Sequence, residues 1–245
     1  MDIIAKYKKA ENKLILLDYD GTLVNFTLVP DNAKPSVRLL NALYKLSRKP
    51  WVRIVINTGR EYRSIDKLIG HLPIDIVAEH GSMIKENNIW KERIKSNFKW
   101  KHEFLPVLDQ FTLECEGSFV EEKRFSVAWH YRNVNTMGGY IFSRELIREV
   151  KDKIHSHDLK LIDGNKAVEI MISETGKGKI TEDLIKQGNY DYILSIGDDV
   201  TDEDMFEALK ENEDAITIKV GYGKTSAKYR LDDVDSVISL LEQLT

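Results

Sequence analysis

Only one cysteine, Cys115, occurs in the 245 residues of the chain. No internal disulfide can form, which suits a reducing compartment and leaves a buried structural thiol as the expected role. Long hydrophobic runs are missing as well. No segment reaches the ~20 apolar residues that a transmembrane helix needs. Residues 1–6 show no charged stretch leading into an apolar one, so no secretory leader is expected and the expected location is cytoplasmic. Neither sign of charge is in large excess. A formal net charge of −4 gives no general attraction to nucleic acid or to an anionic membrane. Repeats, low-complexity tracts and Gly/Ser-rich linkers are absent. A hydrophobic fraction of 42% argues against disorder, and the length permits a large core carrying a second module.

Hydrophobic patterning supplies the fold class. Lys13–Leu17 is a short continuous apolar run, the mark of a buried strand in a parallel sheet. A helix is expected over Pro35–Arg48, with Val37, Leu40, Leu43 and Leu46 on one face and proline in its first turn. Strands at Trp51–Ile56 and Ile74–Ala78 flank a helix at Glu61–Ile69. The pattern then changes. Two strand-like runs within Ser118–His130 surround a loop at Glu121–Lys123, and a helix follows at Tyr140–Ile154. Strands at Leu159–Ile162 and Lys166–Ile172 meet at Asp163-Gly164-Asn165, a hairpin turn signal. Alternation resumes with a helix at Gly178–Lys186, a strand at Tyr192–Ile196, a helix at Met205–Lys210, a strand at Ala215–Val220 and a helix at Val234–Leu244. The expected architecture is an α/β, Rossmann-like doubly wound parallel sheet core, residues 1–96 and 174–245, with an α+β module of one helix inserted at 97–173.

Three of the core strands end in small, polar turns: Asp18-Tyr19-Asp20-Gly21-Thr22, Asn57-Thr58-Gly59-Arg60 and Gly197-Asp198-Asp199-Val200-Thr201-Asp202. Ligands of open α/β sheets bind outside the carboxyl ends of the strands, so these turns can meet. Taken singly, each is an ordinary turn sequence. Together they gather carboxylates whose repulsion calls for a cation. A ligand set of oxygens without His or Cys selects a hard ion such as Mg²⁺.

These segments carry a resemblance. Asp18-Tyr19-Asp20-Gly21-Thr22-Leu23 resembles the first motif of the haloacid dehalogenase superfamily, and Thr58 the second. Lys177, in Gly176-Lys177-Gly178, is similar to the third-motif lysine, and Gly197 to Asp202 resembles the fourth. The neighbouring Lys179 competes for the lysine role, and the position directly before a glycine and a helix favours Lys177. Within that superfamily, nearly the whole chain resembles the trehalose-6-phosphate phosphatase family. Thr58-Gly59-Arg60, Glu79-His80-Gly81, His130-Tyr131-Arg132, Val168-Glu169-Ile170 and Ile218-Lys219-Val220-Gly221 carry that likeness.

The resemblance implies Mg²⁺-dependent hydrolysis of a sugar phosphate. Asp18 would be the nucleophile that forms an aspartyl-phosphate, and Asp20 the acid and then the base. Mg²⁺ would be held by Asp18, the carbonyl of Asp20 and Asp198, while Lys177 and Thr58 steady the phosphoryl group. Asp199 and Asp202 would orient Lys177 and metal-bound waters. Gly59 and Arg60 would adjoin the substrate. Glu121, Lys123, Arg132, Lys166 and Glu169 in the insert would read the sugar. His80 and Glu79 would shape the site from the loop after the third strand. Functional pairing with a trehalose-6-phosphate synthase is implied, and neither nucleic acid nor membrane is an expected partner.

Alternatives stand beside this reading. Phosphatases for sucrose 6-phosphate or mannosyl-3-phosphoglycerate have the same kind of insert. A phosphotransferase or phosphomutase would use the same aspartyl-phosphate, and a silent phosphosugar-binding protein would need neither nucleophile nor acid. Trp90 borders the basic stretch Lys91–Lys101, and Phe98 and Trp100 sit among its lysines, a pattern open to nucleic-acid binding or to anchoring the insert, and the acidic balance of the chain disfavours the first.

Overall fold

The computed structural model describes residues 3–27, 29–95, 97–154 and 157–245. The chain forms two compact units: residues 1–93 with 176–245, and residues 94–175. The boundary expected at residue 96 falls outside the described residues.

The first unit begins with α1 (Ile3–Lys9), β1 (Lys13–Leu17), α2 (Val37–Ser47), β2 (Val52–Asn57), α3 (Tyr62–Ile69), β3 (Asp75–Ala78), β4 (Met83–Glu86) and β5 (Ile89–Glu92). The second unit comprises α4 (Lys101–Glu114), β6 (Phe119–Glu122), β7 (Ser126–His130), α5 (Thr136–Ile154), β8 (Leu159–Gly164) and β9 (Ala167–Ile172). The chain then returns to the first unit with α6 (Lys177–Lys186), β10 (Tyr192–Gly197), α7 (Val200–Ala208), β11 (Ala215–Val220), β12 (Tyr229–Leu231) and α8 (Val234–Leu244).

Among the described residues the first unit holds an eight-stranded sheet in the order β12-β11-β10-β1-β2-β3-β4-β5. The strands from β12 to β3 run parallel, and β4 and β5 are antiparallel additions. The expected α/β parallel-sheet core is therefore observed. Leu14 to Leu17 and Ile193 to Ile196 are wholly buried, as strands covered on both faces must be. Register sets the site. Leu17 is level with Ile196 on one side and Ile56 on the other, so Asp18, Asn57 and Gly197 emerge at one edge.

Helix ends follow local chemistry. The Ser36 hydroxyl accepts from the Leu39 amide at the start of α2, and the Glu61 carboxylate accepts from the Ser64 amide at the start of α3. The buried stripe of α2 is Leu39, Ala42, Leu43 and Leu46, whereas Val37, expected on that face, is exposed. Helix α7 starts at Val200 rather than Met205. Asp199 and Asp202 form a capping box there, and a cap satisfied this early lets the helix begin at once.

The second unit packs a four-stranded antiparallel sheet, β6-β7-β9-β8, with two helices, α4 and α5, where one was expected. Its first hairpin turns at Lys123–Phe125, so Glu121 and Glu122 lie within β6 and not in the loop assigned to them. The aromatic residues around Lys91–Lys101 are engaged in packing. The Trp90 indole N–H donates to Asp66 and its ring packs edge-on against Tyr62, Phe98 packs against Phe125, and Trp100 is buried beside Phe104. Among the described residues, no helix is long and apolar enough to cross a membrane.

Candidate active site

Asp18 leaves the sheet directly after β1, is 4% exposed, and donates its amide to the Ile196 carbonyl at 3.0 Å. Lys177, the first residue of α6, reaches it from the other half of the chain. Its Nζ lies 2.5 Å from Asp18 Oδ1 and 2.7 Å from Asp202 Oδ1, and all three residues are buried. Burial alone would lower the Lys177 pKa. The two carboxylates override it and hold the ammonium above its usual value. Lys177 thus takes the position for which Lys179 competed.

Asp202 spends both oxygens on holding its neighbours. Oδ1 accepts from Lys177, and Oδ2 accepts from the amides of Asp198 and Asp199 at 2.9 Å each. Asp198 Oδ1 accepts from the Thr22 hydroxyl at 3.3 Å. Gly21 lies against it with φ +84°, and a Cβ there would sit 2.3 Å from Asp198 Oδ2. Only glycine fits. Helix α6 likewise meets α7 at Gly178, where a Cβ would come within 2.7 Å of the Asp204 carbonyl oxygen.

Asp18, Asp198 and Asp202 each offer a carboxylate oxygen, and these atoms all lie within 4.8 Å of one another. Burial, opposed by Lys177 and reinforced by Asp202 and Asp20, pushes the Asp18 carboxyl up to about 7. Burial, with Asp18 and Asp202 beside it, pushes Asp198 up to about 9. With Asp202 committed to Lys177 and the two amides, Asp18 and Asp198 remain as hard oxygen donors with repelling charge, the chemistry that a divalent cation such as Mg²⁺ satisfies, so the residues fit the group.

Thr58 follows β2. Its amide donates to the Val77 carbonyl at 2.9 Å, and its hydroxyl oxygen accepts from the Arg60 amide at 3.2 Å. Arg60 is buried, and its guanidinium lies 5.2 Å from the centre of the Tyr19 ring. Gly59 presses on the His80 imidazole, where an added Cβ would stand 2.4 Å from Nε2. Glu79 and His80 carry φ of 47° and 52°, unusual for residues other than glycine. That turn brings the His80 carbonyl to the Gly176 amide at 2.7 Å and the His80 amide to the Thr58 carbonyl at 3.1 Å. The loop after β3 therefore braces the Thr58 turn and the entry to Lys177 together.

Of the expected sugar readers in the second unit, Glu121 on β6 and Glu169 on β9 lie on one sheet, with Lys123 in the β6–β7 turn beside them. Lys123 Nζ donates to Glu169 Oε1 at 2.9 Å and stands 3.9 Å from Glu121 Oε2. The Ser126 hydroxyl donates to the same Glu169 oxygen at 2.5 Å, and Glu121 Oε2 meets His130 Nε2 at 2.8 Å. Ser126 is not among the residues named from the sequence, and His130 is named there only within the segment that carries the likeness, with no role. Their signal was period two: Ser126, Ala128 and His130 share the face of Glu121. Arg132 follows β7 and donates to the Asn165 carbonyl in the β8–β9 turn at 2.9 Å, and Lys166 lies in that turn with Nζ 5.7 Å from the Tyr131 ring centre.

Comparison with known proteins agrees with this arrangement. The family model for trehalose-phosphatase matches residues 16–235. The chain is 36% identical over 239 residues to the bifunctional trehalose-6-phosphate synthase/phosphatase of Thermoproteus tenax, covering 97% of this chain and 32% of that protein. It is 35% identical over 250 residues to alpha,alpha-trehalose-phosphate synthase (UDP-forming) B of Dictyostelium discoideum, covering 100% of this chain and 32% of that one. It thus spans about a third of the length of these curated relatives. Among solved structures, the C-terminal domain of C. albicans trehalose-6-phosphate phosphatase is similar, with a TM-score of 0.94 and 27% identity over 99% of this chain and 94% of that one. With the match running from β1 to α8, the chain belongs to the trehalose-phosphatase family.

Proposed function

We propose that the protein is a phosphoric monoester hydrolase that converts trehalose 6-phosphate and water into trehalose and phosphate through a phosphoryl-aspartate on Asp18. The observation that carries this reading is the Lys177 ammonium lying 2.5 Å from Asp18 and 2.7 Å from Asp202 beside Asp198. A cation fixed against a buried carboxylate opposes the protonation that burial favours, which supports a nucleophilic role, and offers positive charge to the incoming phosphoryl oxygens.

In this reading Asp18 attacks phosphorus and the bond to the sugar oxygen breaks. Asp20 gives that oxygen its proton. Asp20 then takes a proton from the water that opens the phosphoryl-aspartate, releasing phosphate and restoring Asp18. Thr58, Gly59 and Arg60 line the phosphoryl side, while Asp199 and Asp202 hold the turn and Lys177 in place. Mg²⁺, held by the carboxylates of Asp18 and Asp198 and the carbonyl of Asp20, would neutralise phosphate charge. Glu121, Lys123, Arg132, Lys166 and Glu169 would recognise the hydroxyls of the leaving sugar. The Thermoproteus relative is named as both synthase and phosphatase, which supports a functional pairing of this chain with a synthase.

The test is a phosphate-release panel over trehalose 6-phosphate, sucrose 6-phosphate, glucose 6-phosphate and mannosyl-3-phosphoglycerate, with Mg²⁺ or with EDTA. Trehalose 6-phosphate should give the highest kcat/KM, and EDTA should abolish turnover. A preference for another substrate would reassign the sugar. Full activity in EDTA would remove the metal from the mechanism.

A further inference from the structure

The reaction proposed above leaves one buried cation beside the acidic cluster without a role. Lys219 is 5% exposed, in the penultimate position of β11. Its Cα is in register with Gly197, the last residue of β10, so its side chain starts level with the turn that carries Asp198. Its Nζ donates to the Asp198 carbonyl oxygen and stands 3.9 Å from Glu203 Oε1.

A lysine is rarely buried unless its charge is used. Lys219 closes a clamp on one residue, Asp198. The amide of Asp198 is held from one side by the Asp202 carboxylate at 2.9 Å, and the carbonyl of Asp198 from the other by the Lys219 ammonium. With both ends of the residue fixed, its side chain has few directions open. Gly21 bounds the space at the tip, and the Thr22 hydroxyl holds Oδ1. Glu203 is fixed in turn. Its Oε2 accepts from the Ser226 amide at 2.8 Å, the Ser226 hydroxyl at 3.0 Å and the Thr225 hydroxyl at 3.2 Å. The chain of contacts therefore runs from the loop after β11, through α7 and Lys219, to the turn bearing Asp198.

We infer that Lys219 is a positioning residue for the metal centre: its ammonium, anchored by Glu203, fixes the Asp198 peptide so that the Asp198 carboxylate is preset to receive a divalent cation. The inference rests on the metal-binding half of the function proposed above, and two effects of the lysine oppose each other. Its positive charge repels a cation, and its hydrogen bond orders the ligand. The hydrogen bond ends on the peptide of the ligand itself, whereas the charge is offset by Glu203 at 3.9 Å, so ordering should prevail. Partners that orient metal ligands typically change affinity by about 10–100-fold when removed.

The test is Mn²⁺ titration of the full chain without substrate, followed by electron paramagnetic resonance of the free ion. Lys219→Met should weaken Mn²⁺ binding about tenfold or more, while Lys219→Arg, which keeps a cationic donor, should stay within about threefold of wild type. Where Lys219→Met fails to fold by circular dichroism, Lys219→Gln is read in the same way. Unchanged or tighter binding in the neutral variants overturns the inference, because charge repulsion would then be the larger effect. Absence of Mn²⁺ binding by the wild type overturns it together with the metal half of the functional reading. Intact binding without turnover of trehalose 6-phosphate touches the substrate assignment alone.

Discussion

Arg60 grips Asp20 as a fork: Nε donates to Oδ2 and Nη2 to Oδ1, each at 2.6 Å. Both oxygens of the side chain proposed to carry the proton are thereby fixed in direction by a buried guanidinium. Arg60→Met should lower kcat about ten- to a hundredfold, a part of the 10²–10⁴ that a positioned acid–base group supplies. Arg60→Lys should recover little of it, because a point charge cannot hold two oxygens in a plane. Steady-state kinetics on trehalose 6-phosphate reads this, and an unchanged kcat in Arg60→Met would show that the fork is dispensable.

Asp18→Asn should abolish turnover and keep the fold. The change is nearly isosteric and removes a carboxyl that burial already pushes up to about 7. Phosphate release should fall to background, and circular dichroism should match wild type. Beryllium fluoride should protect wild type but not Asp18→Asn against thermal unfolding. Appreciable turnover by the asparagine variant would exclude a phosphoryl-aspartate at this position.

Much of this site could be read from the sequence, for a physical reason. Buried parallel strands need continuous apolar runs such as Lys13–Leu17 and Tyr192–Gly197, and the polar turns that end them stand out by contrast. Helix α4 was hidden because Pro106 lies within it and lysine and aromatic residues crowd its start. The β4–β5 hairpin was hidden because its strands have four residues each and mix charge with apolar character. Its signal was Asn87-Asn88, both at positive φ, the requirement of a tight hairpin turn. Lys219 belongs to a segment that carries the likeness, but its place beside Asp198 is not legible from pattern, since a lysine in a strand reads as solvent-facing until the register sets it there.

The acidic cluster predicts how stability responds to pH. An ordinary Asp titrates at about 3.9, and the folded Asp198 is pushed up to about 9 by burial and then by Asp18 and Asp202. Between those values the folded state holds a proton that the unfolded state has lost, so this group's contribution falls as pH rises. In EDTA, Asp198→Asn should therefore gain Tm over wild type, and the gain should grow from pH 5 to pH 9. Saturating Mg²⁺ should reverse the order, because the ion binds the folded wild type and holds its carboxylates ionised. Calorimetry at several pH values decides it. A Tm difference independent of both pH and metal would mean that Asp198 feels no such field.

The face of the second unit gives the sharpest test of the substrate. Glu121, Lys123 and Glu169 are not free charges awaiting a sugar. Lys123 and Glu169, each 8% exposed, are paired at 2.9 Å, and Ser126 shares the Glu169 oxygen. Truncating one member of a buried pair strands the other, so alanine variants would mix folding with recognition. Glu169→Gln keeps the shape and a hydrogen-bonding carbonyl for Ser126 while removing the charge. If the face reads the leaving disaccharide, kcat/KM for trehalose 6-phosphate should drop about ten- to a hundredfold, the loss of one charged contact worth about 1.5–3 kcal/mol. Hydrolysis of 4-nitrophenyl phosphate, whose leaving group has no sugar hydroxyls, should change less than about threefold. Equal losses on both substrates, at unchanged Tm, would show that the face serves the chemical step instead of the sugar. A loss on neither would move sugar recognition off this sheet and leave Arg132, after β7, and Lys166, in the β8–β9 turn, as the remaining readers.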